Sequence, residues 1–265
     1  MTNGSVTAPN ISLASLVHGR MAIFLLLFVG LSPKPAAVAQ TFVGYAVKGG
    51  GVLATQRWDN FDRDPLIGPH VDLQVESVSF EKPTSFYASL GYHQRGSAIR
   101  SRAFTFRNPT TGQEERFRPE ALRFVFHNLA LALGGKQHYA VGRNRGFVSF
   151  ALRGEYNLAT DFGDTDDRNL NFGFGASYPV DEFTRKLLYG ADVGAGLELP
   201  LSARTDALLE IRLSPDVSAQ YEQPPLQNVF NPRTGNNEGV AQRNINNLSV
   251  EVSVGLRFLP DAAYE

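Results

Sequence analysis

The sequence predicts an all-β protein, an eight-stranded antiparallel up-and-down barrel that crosses a membrane. Three observations predict it. Apolar and polar residues alternate strictly: from Asn247 to Phe258 the even positions carry Leu248, Val250, Val252, Val254, Leu256 and Phe258, and the odd ones Asn247, Ser249, Glu251, Ser253, Gly255 and Arg257. Period two gives a strand one greasy and one polar face. The run lasts twelve residues, whereas soluble strands average about five or six and membrane-spanning ones need about nine to eleven. Connections between such runs alternate between short and long, the pattern of barrels with tight turns at one end and large loops at the other.

In chain order, the first strand covers Phe42 to Gln56, with Val43, Tyr45, Val47 and Leu53 on one face and Ala46 and Lys48 on the other. Gly49, Gly50 and Gly51 interrupt it, as glycine does where a wall bends or backbones approach closely. Lys48 and its glycines are not a phosphate loop, because no Gly-Lys-Ser/Thr follows at the required spacing. A second strand spans His70 to Val78, with Val71, Leu73 and Val75 opposing His70, Asp72, Gln74 and Glu76. The third, Phe86 to Ala98, sets Phe86, Ala88, Leu90 and Tyr92 against Tyr87, Ser89, His93 and Arg95.

The fourth strand, Ala121 to Leu133, changes phase. Its greasy set starts on even positions (Leu122, Phe124, Phe126) and moves to odd ones (Leu129, Leu131, Leu133). A β-bulge near His127–Asn128 would produce that shift. The fifth, Phe147 to Leu158, opposes Val148, Phe150, Leu152, Tyr156 and Leu158 to Ser149, Arg153, Glu155 and Asn157. Leu187 to Leu199 and Asp206 to Ser214 supply the sixth and seventh, and Asn247 to Phe258 closes the wall. Ser79–Ser85 and Pro200–Thr205 are tight links, Gly134–Gly146 is intermediate, and the 3–4, 5–6 and 7–8 links are long. Leu170 to Pro179 has strand character and leaves a ten-stranded barrel as the alternative.

Ahead of this barrel, residues 40–265, lies a segment with the marks of a signal peptide, residues 1–39. Ala22 to Leu31 form an apolar run, and Ala37 and Ala39 form an A-x-A cleavage site. Met21 offers an alternative start. The apolar run is shorter than the roughly twenty residues of a spanning helix. Absence of cysteine excludes disulfide scaffolds and thiolate metal sites, and a net charge of -1 gives no basic surface for nucleic acid.

The polar faces place Lys48, Asp72, Glu76, Arg95, Arg123, Arg153, Glu155, Asp192, Glu198, Glu210, Arg212, Glu251 and Arg257 in the barrel interior, seven acids against six bases. Eight strands enclose a space just wide enough to be filled by side chains. The expected interior is therefore plugged by paired charges.

Candidate chemistry is sparse. No histidine has serine two residues later, which argues against a lipid A-modifying enzyme; His70, His93, His127 and His138 read as structural, and His127 with Ser149 is too little for a triad. Asp161, Asp164, Asp166 and Asp167 lack the ligand spacing of a calcium loop. Phe104 and Phe106 with Arg102, Arg107, Arg116 and Arg118 make a basic, aromatic loop able to meet lipopolysaccharide phosphates. No cofactor and no metal are expected.

The segments VGYAVKGGGVLAT, FYASLGYHQRGSAI, FVFHNLALALGGK, LLYGADVGAGLEL and VSVGLRF, in that order across residues 42–258, resemble the outer-membrane β-barrel family common in Bacteroidetes, which includes PorT-like and OmpX-like small barrels. Lys48-Gly49-Gly50 and Gln94-Arg95-Gly96 carry the resemblance most strongly, while Leu129-Ala130 stands where the family usually has Ile-Pro. Gly255, Leu256 and Phe258, in the final Gly-x-Arg-Phe, are similar to the signal read by the barrel-assembly machinery, here followed by seven residues. The resemblance implies an outer-membrane location and transfers no catalytic residue. The expected role is structural or interactive, through the long loops. The alternatives are a PorT-like component working with secretion-machine proteins and a narrow porin. Expected partners are outer-membrane lipid, lipopolysaccharide and the assembly machinery.

Overall fold

The computed structural model describes residues 42–57, 63–79, 82–99, 103–107, 110, 112–117, 121–162, 179–231 and 234–259. The expected leader, with Ala37 and Ala39, lies outside them, as do residues 170–178 of the proposed extra strand, Asp164, Asp166, Asp167, Arg102 and Arg118. The barrel strands are β1 (Phe42–Arg57), β2 (Asp64–Val78), β3 (Thr84–Ile99), β4 (Leu122–Val141), β5 (Asn144–Asp161), β6 (Leu187–Ser202), β7 (Thr205–Pro215) and β8 (Arg243–Phe258). Each pairs antiparallel with its sequence neighbour. β8 then pairs with β1 from Tyr45↔Phe258 to Arg57↔Asn246 and closes the wall. At this seam Gly255 points inward, where a Cβ would lie 2.7 Å from Lys48 Cγ; glycine leaves the lysine room.

Connections 79–83, 142–143 and 203–204 are short and lie at the end that carries both ends of the barrel wall, the terminal end. Links 100–121, 162–186 and 216–242 are long and lie at the opposite, loop end, beside the shorter 58–63. The β4–β5 link is not intermediate. Strand pairing runs past Gly134 and Gly135 down to Val141↔Asn144, and Gly142 (φ +61°) with Arg143 forms a two-residue turn of the kind glycine permits in hairpins. Two hairpins stand in the long links: Phe104–Arg107 with Glu114–Phe117, and Leu226–Asn231 with Asn236–Val240.

The outward face is apolar at mid-wall. Val47, Leu73, Leu90, Leu131, Leu152, Val193, Ile211 and Val252 are all exposed. On β8 the band runs from Leu248 to Phe258, ten steps of about 3.3 Å. At a tilt of ~40° that is about 25 Å, the height of a transmembrane barrel's apolar belt. Tyr45, Phe86, Tyr139 and Phe258 edge the belt at the terminal end, and Tyr92, Tyr156 and Tyr189 edge it toward the loop end, the two aromatic girdles expected at membrane interfaces.

One expectation fails on β4. β4 holds an unbroken register against β3 from Ile99↔Leu122 to Thr84↔Gln137, and its even positions face inward throughout. A register shift does occur at His127/Asn128, but the extra residue is Leu158 on β5. The greasy residues change parity because the surroundings change. Leu129, Leu131 and Leu133 face outward, where lipid is the solvent; Phe124 and Phe126 are fully buried inside, above the belt. Arg123, expected in the interior, is exposed on the outer face for the same reason.

Candidate functional site

Twelve of the thirteen charged residues assigned to the interior are buried there, Arg123 being the exception. Lys136, Asp206 and Asp216 join them. Strand alternation stacks these groups in levels. Near the terminal end, Arg257 bonds Glu198 at 2.7 and 2.8 Å and Asp206 at 2.6 Å, while Lys136 pairs with Glu76 at 2.7 Å. At mid-wall Lys48 pairs with Glu210 at 2.7 Å, and Arg212 reaches Glu210 at 3.1 Å and Asp72 at 3.4 Å. His93 lies between Asp72 and Glu251, with 3.1 Å from each ring nitrogen to a carboxylate oxygen. Toward the loop end, Arg95 contacts Glu155 at 2.6 Å, Glu251 at 2.9 Å and Asp216 at 3.3 Å. Arg153 contacts Glu155 and Asp216 at 2.5 and 2.6 Å and also pairs with Asp192.

Above the charges lies a belt of uncharged polar side chains. Ser97 donates to Gln56 at 2.6 Å, and Gln56 donates to Asn247 at 3.0 Å. Asn247 donates to Gln220, and Gln220 and Asn157 donate to Asn128 at 3.1 and 3.0 Å. Asn247 also donates to Asp216 at 2.9 Å and Asn128 to Glu155 at 2.8 Å, tying belt to charges. Beyond it Phe124, Phe126, Phe162, Tyr221 and Ile245 form a buried apolar cluster, with Ile99, Leu122 and Phe183 packed against it. Phe162 meets Phe126 edge-on at 5.2 Å. The wall reaches this height because Tyr221–Gln223 pairs with β8 and Thr184 bridges to Tyr221.

Three arrangements resemble chemical sites. Glu76, His138 and Glu198 bring one ligand atom each within 4.8 Å of the others. Arg257 Nη1 lies 2.8 Å from Glu198 Oε1 and 3.7 Å from Glu76 Oε1, the two oxygens that His138 Nε2 approaches to 3.2 and 3.7 Å. The guanidinium thus pairs with the same carboxylate oxygens that a metal cation would take. His70 Nε2 lies 3.1 Å from Ser253 Oγ, but its buried Nδ1 makes no hydrogen bond, so no acid orients the ring as a triad requires. His127 faces outward and bonds Tyr92 Oη at 2.6 Å, whereas Ser149 faces the bore; the two share no site.

In the loops, Arg107 donates to Gly112 O at 2.8 Å, and Arg116 is exposed across the hairpin from Thr105. Asp161 is exposed at the end of β5. On the seam strand, Leu256 and Phe258 face outward at the terminal end. Of the inward residues the sequence did not assign to the bore, Lys136, and His138 read there only as structural, keep the even parity of β4 but follow two glycines, beyond the expected end of the strand. Asp216 follows Pro215, beyond the alternation of β7.

No family model matches the chain, and no curated protein matches it. Solved structures resemble it in shape. Neisserial surface protein A (NspA) aligns with TM-score 0.43 and 10% identity over 82% of this chain and 96% of its own. The outer membrane protease OmpT from Escherichia coli aligns with TM-score 0.41 and 6% identity over 86% and 99%. Outer membrane protein W of E. coli aligns with TM-score 0.35 and 10% identity over 84% and 100%.

Proposed function

We propose that the protein is a non-conducting outer-membrane barrel that acts through its loop end as a structural or interaction element. The filled bore carries this reading. Buried ion pairs occupy it through the membrane depth, and an apolar cluster stops it at the loop end. An ion entering would have to displace paired charges and then cross a dry layer, each step costly. The apolar belt with its girdles supports a bilayer location. Short turns on one side and long loops on the other support the usual orientation, with the terminal end in the periplasm.

Two measurements test it. Native protein should fractionate with outer membranes and shift on gels when boiled. Reconstituted into planar bilayers, it should give no steady conductance. Sustained single-channel steps would overturn the sealed-bore reading and favour a narrow porin. Co-purification with secretion-machine proteins would identify the interaction as part of export.

A further inference from the structure

At the loop end the wall is not a ladder all the way round. β7 stops at Pro215, opposite Leu248 of β8, and its last regular pair with β6 is Leu213↔Val193. Residues 216–220 fill the gap between β6 and β8, and Tyr221 then resumes pairing with β8 opposite Ile245. An unbroken antiparallel register from Pro215↔Leu248 would bring Ser218 opposite Ile245. Tyr221 stands there instead, so three residues are surplus. The two anchors lie about 10 Å apart along β8, whereas the six steps of chain from Pro215 to Tyr221 reach about 20 Å. The segment has slack to swing outward while both anchors stay paired.

Its backbone is held at half the density of a ladder. Asp216 donates to Asn247 O at 3.0 Å, Val217 and Ser218 donate to Tyr189 O at 3.1 Å, Gln220 donates to Ile245 O at 2.8 Å, and Gln220 O accepts from Arg185 at 2.9 Å. Five residues laddered on both sides would make about ten such bonds. Ser218 and Gln220 add side-chain bonds to Tyr189 and to the amide belt. Asp216 is the one charge of the segment. Its carboxylate lies 2.6 Å from Arg153, 3.3 Å from Arg95 and 2.9 Å from Asn247. Gly190 lets it come that close: a Cβ there would lie 2.7 Å from Pro215 O and 2.6 Å from Arg153 Nη2. Neither arginine depends on Asp216. Arg95 keeps Glu155 and Glu251, and Arg153 keeps Glu155 and Asp192. Withdrawal of Asp216 therefore strands no cation in the bore, and the carboxylate regains water outside.

We propose that residues 216–220 are a strap, latched shut by Asp216, that opens the wall between β6 and β8 at the loop end while the barrel stays folded. The proposal rests on the sealed-bore reading and names the place where the seal is released. Opening bares the amide belt and Glu155 to the outer medium. Amide hydrogen exchange of the folded full barrel in lipid, followed by NMR, reads the strap directly. The amides of Val217, Ser218 and Gln220 should exchange roughly tenfold or more faster than ladder amides at the same height, around Asn128 and Asn157, as a locally opening segment does. Asp216→Asn keeps the shape and removes the charge. It should speed the strap by about a further tenfold, near the lower end for a hydrogen bond to a charged group, and leave the ladder unchanged. Gly190→Ala, with every charge in place, should do the same by crowding Pro215 and Arg153, and it serves if the Asp216 variant fails to fold. Strap exchange no faster than the ladder in the wild type, unchanged in the two variants, or rising equally throughout the barrel in them would overturn the latch. Steady conductance of the wild type would break the sealed-bore reading instead, and the exchange pattern is measured independently of it.

Discussion

Below the level of His127 and Asn128 the wall is greasy outside and charged inside; above it the interior turns mostly apolar, with Arg63 over the Phe124 ring and Arg243 buried nearby. Leu129, Leu131 and Leu133 face outward on β4, while Phe124 and Phe126 on the same strand are buried inward. β8 shows the same exchange without a change in register: Leu248 and Val252 face outward, and Ile245, further toward the loop end, is buried. One backbone tube therefore passes through two solvents. In lipid, apolar side chains cost nothing outside, and the enclosed bore tolerates charge only as fully paired sets. In water, the interior is packed as in a soluble β-barrel, held by the burial of Phe, Tyr and Ile side chains. The amide belt from Ser97 to Asn157 marks the border, polar enough to satisfy Glu155 and Asp216 below and uncharged enough to adjoin the apolar cluster above.

The largest expected effect comes from the charged region. Arg95→Ala removes the guanidinium that contacts Glu155, Glu251 and Asp216 together, leaving Arg153 alone against Glu155 and Asp216, and should cost about 3–5 kcal/mol in urea unfolding from vesicles. Wild-type stability in that variant would mean the bore is wet. Phe126→Ala should cost about 3–4 kcal/mol, but in the other region. Protease should nick the loop end faster while the gel shift on boiling survives. Loss of that shift instead would show that the two regions fold as one unit. Leu131→Arg should destabilise by about 2–3 kcal/mol, as a cation on the lipid face does. The smallest effect is on the same face of the same strand. Arg123→Leu, outside the belt, should leave the unfolding midpoint where it was; a marked gain in stability would extend the lipid up to that level.

Much of this was legible in the sequence. Period-two runs such as Val71-Asp72-Leu73-Gln74-Val75 give strand, parity and interior charge together, because inside and outside differ in polarity at every step. Loop lengths gave the two ends. What failed was the assumption that greasy means outward. Leu122, Phe124 and Phe126 have the alternation of a lipid-facing strand, and nothing within β4 states where the membrane stops. The paired glycines at 134 and 135 also hid the last third of β4, and with it the inward place of Lys136 and His138. The pairings themselves, such as Arg95 with Asp216 over 121 residues of chain, depend on which strands end up opposite across the bore.

This change can be read directly on β4. The chain has no cysteine, so single cysteines at positions 123, 125, 127, 129, 131 and 133 can carry a spin label in the folded protein in vesicles. Collision with oxygen, which concentrates in lipid, is compared with collision with a water-soluble nickel complex. Labels at 129, 131 and 133 should meet oxygen, and the label at 123 should meet nickel, with the change falling at 127. Oxygen-dominated collision at 123, or nickel-dominated collision at 131, would contradict the account.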